Sequence, residues 1–218
     1  MRQIFNLVKK DLLLVKNYIL IMILFSIGMP IFMFKEGSEL VGFSSILYGT
    51  LVLMLSFMAY HMISMEEMKE EGMVYIQTIP ISNTSISLAK FAVIFVVFTL
   101  VSFIYFIISR IEITNVGSIG IKDILFTFLL IELFFSIYIP LTFKLGYVKL
   151  QMVSAGIIFT TPFIIGLVSK KINNIIRVLV KIGNIPNVLL ISLSALIAIF
   201  ILLISINRSS KILDSKEY

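Results

Sequence analysis

The sequence predicts an all-α, polytopic membrane protein with six transmembrane helices and short amphipathic interfacial helices. Hydrophobic residues make up 59% of the 218-residue chain, charged residues make up only 14%, and the mean hydropathy is +1.09. A soluble domain carries about 25% charged residues. This chain therefore has more apolar surface than one protein core can cover, and we expect lipid to cover the rest.

Six apolar runs predict the individual membrane helices. A helix needs about 20 apolar residues to cross the hydrocarbon layer, where every backbone amide must be bonded internally. The runs are Tyr18–Phe34, Val41–Ile63, Phe91–Ser109, Ile124–Phe143, Leu150–Ser169 and Val188–Ile206. They leave too little chain outside the membrane for an enzyme domain, so we expect one transmembrane domain over residues 1–218.

The formal net charge of +6 is spread over the short segments between the apolar runs. No basic face results, so the sequence does not indicate nucleic-acid binding, and anionic headgroups of membrane lipid are the expected partners of these cations. If six spans place both termini on one side, most of the 18 Lys and Arg residues lie on that side. This predicts cytoplasmic termini. The absence of cysteine excludes disulfides and thiolate metal sites.

Two short segments outside the spans have amphipathic helical patterns. In residues 2–16 the apolar residues recur at helical spacing, which predicts a helix in the headgroup plane with its apolar side against lipid. That stripe consists of Ile4, Leu7, Val8, Leu12 and Val15. Residues 170–182 repeat the pattern, and we expect a second interfacial helix there on the outer face.

The largest cytoplasmic connection, residues 64–87, joins the second and third predicted spans. Its apolar residues share one helical face, and its acidic residues mostly occupy the rest. Pro80 ends this helix, and Ser82, Asn83 or Ser85 can cap the next one. The segment is either a plain connector or a Met-rich docking element for a partner protein.

This connection resembles the corresponding segment of small ABC-2 type exporter permeases, which include bacitracin-type drug exporters and exporters of phenol-soluble modulin peptides. The similar stretches are Glu66-Glu67-Met68-Lys69, Tyr75-Ile76-Gln77-Thr78-Ile79-Pro80-Ile81-Ser82 and Ile86-Ser87-Leu88-Ala89-Lys90-Phe91. Asn83 departs from the pattern, because those proteins often have Arg there. The basic N-terminal helix and the six predicted spans fit the same family.

The resemblance implies that the segment before Pro80 is a coupling helix that docks on a separate ATPase. The implied coupling residues are Met65, Glu66, Glu67, Met68, Lys69, Gly72, Tyr75, Ile76, Ile79 and Pro80. It further implies two ATPases, a second permease copy or a paralogue, and a bacterial plasma membrane location. The expected cargo is an amphipathic peptide toxin or, failing that, a hydrophobic antibiotic.

The chain has no nucleotide-binding motif of its own. No G-x-x-x-x-G-K-[ST] phosphate loop occurs, and no glycine is followed by lysine. We therefore expect no enzyme activity and no bound cofactor in this chain, with ATP and Mg²⁺ held by the partner ATPase.

Two spans have faces of small and hydroxylated residues, and the resemblance implies that a translocation pathway runs along them. The candidate residues are Ser45, Tyr48, Gly49, Val52, Ser56 and Tyr60 in span two, and Gln151, Ser154, Ile158 and Thr161 in span five. Such faces also suit plain helix packing, because small residues let two backbones approach closely. Packing is the favoured interpretation.

Glu132 is the one carboxylate inside a predicted span. A carboxylate at that depth is costly, so we expect it to be buried, with a structural bond to a neighbouring span favoured over a proton relay. His61, at the inner end of span two, is predicted to be an interfacial polar residue and not a metal ligand.

Two other classes of function stay open at this point. A transporter or channel that works without ATP needs ionisable or carbonyl-rich sites at the membrane midplane and usually internal repeats. A non-transporting immunity or scaffold protein fits the spans equally well, and only the coupling-like segment disfavours it.

Overall fold

The computed structural model describes residues 2–37, 43–69, 81–111, 118–152 and 187–215. The elements within these ranges are α-helices, as the sequence predicts. They are α1 (Arg2–Leu14), α2 (Lys16–Gly37), α3 (Phe43–Lys69), α4 (Asn83–Ser109), α5 (Ile121–Leu145) and α6 (Asn187–Asp214). Residues 147–152 are also helical.

Four helices in the described part are long and apolar enough to cross a membrane: Ser44–Lys69, Asn83–Ser109, Ile121–Leu145 and Ile191–Asp214. A fifth is reached only if Arg2–Leu14 and Lys16–Phe32, which meet at 72°, are taken together. The predicted six spans are therefore not confirmed. A hydropathy run cannot register this bend, and most of the predicted fifth span, like the outer helix at residues 170–182, lies outside the described residues.

The helix ends follow local chemistry. Ser82 caps α4, because its hydroxyl accepts a hydrogen bond from the Ser85 amide at 3.3 Å. This agrees with the capping residues predicted there. At the start of α5, the Asp123 carboxylate accepts from the Gly120 amide at 2.7 Å. Gly146 ends α5 with a φ of +77°, a conformation that glycine adopts without a Cβ clash.

Helix α4 lies at the centre of the described part and contacts each of the other five helices. The most extensive pair is α5 with α6. Small residues on α6 let the two backbones approach, and the Ser205 hydroxyl donates to the Ser136 carbonyl at 2.7 Å. The buried small residues of α6 are Ser194, Ala198, Ser205, Ser209 and Ser210. The opposite face of α6 is apolar and exposed, as expected of a surface that lipid covers.

The apolar stripe of α1 does not face lipid, which corrects the prediction for residues 2–16. Leu7 and Val15 are buried, and Ile4, Val8 and Leu12 pack against the same two clusters of buried side chains. The cause is the bend between α1 and α2, which brings α1 against α4. The helix is amphipathic, as predicted, but its apolar side is covered by protein.

Candidate functional site

Four charged side chains from three helices meet where α1, α3 and α4 come together. Lys90 Nζ of α4 lies 2.7 Å from Glu67 Oε1 of α3 and 3.0 Å from Asp11 Oδ2 of α1. Lys10 Nζ lies 2.6 Å from the same Glu67 oxygen and 2.9 Å from Asp11 Oδ1. We refer to Lys10, Asp11, Glu67 and Lys90 as the ionic cluster.

The ionic cluster is buried and balanced in charge. Asp11, Lys90 and Glu67 are 1%, 3% and 6% exposed, and only Lys10 reaches the surface. Burial of a charge is costly unless the charge is paired and hydrogen-bonded. Two cations stand opposite two carboxylates, and Lys10 and Lys90 donate hydrogen bonds to Glu67 while Lys90 also donates to Asp11, so the cluster links the three helices.

Each buried charge sits on the packing face of its own helix. Asp11 lies one turn from Leu7 and one turn from Val15, both buried. Glu67 follows the fully buried Ile63 by one turn of α3, and Lys90 lies one turn from the buried Ile86 and Ile94 in α4. Residues three or four apart share a helix face. The apolar packing of the helices therefore carries these charges into one interior site.

The described coupling residues extend from this cluster. Helix α3 runs without a break from the membrane span through Lys69, so Met65–Lys69 continue the span as one rod. Met65 and Glu66 are half-buried, Met68 is 45% exposed, and the exposed Lys69 pairs with Glu66 at 3.0 Å. Gly72, Tyr75, Ile76, Ile79 and Pro80 lie outside the described residues.

Glu67 differs from its expected position. The sequence pattern placed it on the polar side of a solvated segment, whereas the structure buries it against Lys90 and Lys10. The partner cations come from segments 57 and 23 residues away in the chain. Helical periodicity within residues 64–87 cannot show such partners.

The candidate pathway residues of span two mostly lie inside the chain. Tyr48, Val52, Ser56 and Tyr60 are buried. The Tyr48 hydroxyl and the Ser102 hydroxyl are 2.7 Å apart, which joins α3 to α4. These four residues therefore lie where residues that pack between helices are found.

The two remaining span-two candidates, Ser45 and Gly49, are half-buried and line a groove of about 370 Å³ between α3 and α5. Gln151 is exposed, in the helical stretch that follows Gly146. Ser154, Ile158 and Thr161 lie outside the described residues. The pathway therefore stays a prediction.

Glu132 is buried in α5, at 7% exposure, as expected of a carboxylate in a membrane helix. Neither of its carboxylate oxygens has a hydrogen-bond partner among the described residues. The predicted structural bond to a neighbouring span is thus not found in this part of the chain.

His61 lies in a ring of aromatic side chains near the end of α3. The Tyr147 hydroxyl is 2.9 Å from His61 Nε2, and the Phe57 ring stacks on the imidazole. Burial raises the pKa of the Tyr147 phenol. The phenol therefore stays protonated at neutral pH, and its hydroxyl can donate a hydrogen bond to the imidazole nitrogen. This contact joins α3 to the chain that follows α5, in keeping with a polar interfacial role for His61.

The ionic cluster was not among the features that the sequence predicted. One signal for it was present: Asp11 interrupts the apolar stripe of α1 at the position between Leu7 and Val15. Lys90 gave a second signal, because it stands a full two turns inside α4 and not at the helix end. A charge on a buried face requires a partner of opposite charge, but only the fold brings these partners together.

The comparison with protein families decides the class of this membrane protein. The family model described as ABC-2 family transporter protein matches residues 6–214. The chain belongs to this family. The matched range includes all four residues of the ionic cluster, most of α1 and all of α2 to α6. No curated protein and no solved structure matches the chain.

Membership of the ABC-2 family confirms the resemblance seen in the sequence and implies an ABC ATPase as the partner of this membrane subunit. The residues that the sequence resemblance assigns to coupling begin at the end of α3, next to the ionic cluster. The described residues place Met68 and Lys69 on the accessible side of that end and Glu67 on the side that faces the cluster.

Proposed function

We propose that this chain is the membrane-spanning permease subunit of an ATP-driven exporter and that it docks on a separate ATPase through residues 64–87. The observation that supports this most directly is the uninterrupted α3. It carries the exposed Met68 beyond a buried ionic cluster that fixes the helix to α1 and α4. An exposed methionine at a fixed helix end suits insertion into a groove on a partner protein.

The ionic cluster connects this docking element mechanically to two other helices. Glu67 is the residue before Met68, and it is held by Lys90 of α4 and Lys10 of α1. A displacement of the α3 end therefore cannot occur without moving the two other helices or breaking buried ion pairs. In the proposed exporter, motion of the ATPase at Met68 passes through these pairs into α1 and α4.

The proposed assembly has two permease copies, or this chain and a paralogue, with two ATPases that bind ATP and Mg²⁺. The proposed cargo is an amphipathic peptide toxin or a hydrophobic antibiotic. The apolar character of the spans, which contain few polar residues and no Trp, supports such a cargo over a sugar polymer. This chain contributes the membrane path, and hydrolysis takes place in the partner.

The docking surface is tested with Met68→Asp. A charge in a dry contact carries its full desolvation cost, and anchors at interface centres contribute about 2 kcal/mol or more. We expect loss of co-purification with the co-expressed ATPase, by about thirtyfold or more in affinity. Membrane insertion should be unchanged, because the residue is exposed and outside the packed core.

Two variants serve as controls. Met68→Leu preserves an apolar anchor and should keep the ATPase, and Ser215→Asp places a new charge at another exposed site. If Met68→Asp inserts, retains the ATPase and exports normally, the α3 end is only a connector. The proposal that the ATPase docks on this helix end would then be withdrawn.

A further inference from the structure

The outward face of α1 combines cations with large apolar side chains. Arg2, Phe5, Lys9 and Leu13 follow one another at spacings of three or four residues, and Lys16 comes at the bend into α2. Residues so spaced lie along one side of a helix. Phe5 is 68% exposed and Leu13 is 54% exposed. We refer to the four α1 residues, together with the adjoining Lys16 at the start of α2, as the outward face of α1.

The cations of this face are free of the ionic cluster. Arg2, Lys9 and Lys16 are exposed, and no described acidic side chain pairs with any of them. The acidic residue of α1, Asp11, lies on the opposite, buried side. The outward face therefore carries positive charge that no described side chain neutralises.

The bend between α1 and α2 sets the level of this face in the membrane. The two helices meet at 72°, so α1 turns away from the direction of α2. One turn beyond Lys16, α2 begins a strongly exposed apolar surface with Leu20 and Leu24. Lipid must cover that surface, which places the adjoining outward face of α1 at the boundary between acyl chains and headgroups.

We infer that the outward face of α1 binds the headgroups of anionic phospholipids. Lys and Arg there meet lipid phosphates while Phe5 and Leu13 enter the upper acyl region. An open groove of about 430 Å³ beside Lys9 and Lys10 offers space for a headgroup. A dry protein contact fits this face less well, because lysine is depleted at interface cores, whereas long cationic side chains next to apolar ones suit a lipid boundary.

This inference goes beyond the proposed function, because it requires only that the chain is in a membrane and not that an ATPase docks on it. It also differs from the sequence-based expectation for residues 2–16. The stripe predicted to meet lipid is covered by protein, and the opposite face takes that place. A lipid bound to this face would then influence the ionic cluster indirectly, because Lys10 and Asp11 belong to the same helix.

The test uses the full-length protein in detergent, titrated with short-chain phosphatidylglycerol or short-chain phosphatidylcholine and followed by native mass spectrometry. A cation near an anionic lipid surface contributes about fivefold in affinity. We expect Lys9→Gln/Lys16→Gln to bind phosphatidylglycerol about thirtyfold more weakly than the wild type does, with phosphatidylcholine binding unchanged.

Three matched variants separate the contributions. Lys9→Arg/Lys16→Arg keeps the charge and should keep the affinity for phosphatidylglycerol. Lys144→Gln/Lys149→Gln removes two exposed cations elsewhere and should have a much smaller effect. Phe5→Ser/Leu13→Ser should weaken both lipids alike, because it removes the acyl contact and leaves the cations in place.

Three outcomes would overturn the inference. Equal phosphatidylglycerol affinity in the wild type and in Lys9→Gln/Lys16→Gln would show that this face does not select anionic lipid. Competition by inorganic phosphate as effective as that by phosphatidylglycerol would make it a small-anion site. Loss of ATPase co-purification with lipid binding unchanged would make it a protein docking face, a result distinct from failure of Met68 to anchor the ATPase.

Discussion

Each residue of the ionic cluster contacts two groups of opposite charge, and Lys90 does so from an enclosed position. It reaches a carboxylate on α1 and another on α3, and its own side chain is only 4% exposed. The pairs stabilise the junction only as a set. Removal of one member leaves a charge of opposite sign buried without compensation, whereas removal of a matched pair leaves the rest neutral.

This balance predicts the behaviour of single and double substitutions. Lys90→Met leaves Asp11 and Glu67 facing a single cation, and we expect it to destabilise the fold by about 3 kcal/mol or more. Lys90→Met/Glu67→Met leaves the pair of Lys10 and Asp11, and we expect it to recover much of that loss. Thermal unfolding of the detergent-solubilised protein measures both.

The control for this prediction is Lys149→Met, which removes an exposed cation and should leave the melting temperature unchanged. A double variant no more stable than Lys90→Met would contradict the charge-balance account. In that case the cluster would act through the shape of its side chains and not through their charge.

At the scale of the elements, α5 and α6 show how small residues select a packing face. Ala198 is 5% exposed, whereas its neighbour Ile199 is 58% exposed. Both lie in the uniformly apolar stretch of residues 195–204, so hydropathy does not distinguish the two faces there. The side that packs is the side where small side chains allow close approach and where Ser205 bonds to the backbone of α5.

This asymmetry predicts that the same substitution has different effects on stability at two adjacent positions. Ala198→Phe adds a ring between packed helices and should destabilise the protein by about 1–3 kcal/mol. Ile199→Phe places the same ring toward lipid and should be nearly neutral. Thermal stability and the yield of monodisperse protein compare the pair, and equal effects of the two variants would show that the α5–α6 contact is not tightly packed.

At the scale of the whole molecule, α4 organises the described part. It contacts all five other helices. It also contributes Lys90 to the ionic cluster and Ser102 to the contact with Tyr48. The proposed docking element at the end of α3 and the outward face of α1 are therefore attached to a common helix. Neither can shift alone while the ionic cluster is intact.

The orientation of this arrangement in the membrane is tested with single cysteines, because the natural chain has none. If the termini are cytoplasmic, a cysteine at Ser118, in the exposed connection before α5, should react with an impermeant maleimide in intact cells. A cysteine at Ser215 should react only after lysis. The reverse pattern would place α1 and the end of α3 outside the cell and exclude docking on a cytoplasmic ATPase.

The sequence alone determined that this is an all-helical membrane protein with a Met-containing segment after span two and a cap at Ser82, Asn83 or Ser85. These features depend on composition and on periods within one helix, which local sequence carries completely. The burial of Glu132 was also predictable, because the cost of a carboxylate in lipid does not depend on its neighbours.

Only the tertiary structure decided which face of each helix is covered and which charges are paired. The stripe of α1 turns to protein because of a bend that hydropathy does not register. Glu67 turns inward because Lys10 and Lys90, distant in sequence, reach it in space. Helical periodicity shows that two faces differ, but the free energy of burying either face depends on what lies opposite. That neighbour is supplied by the fold.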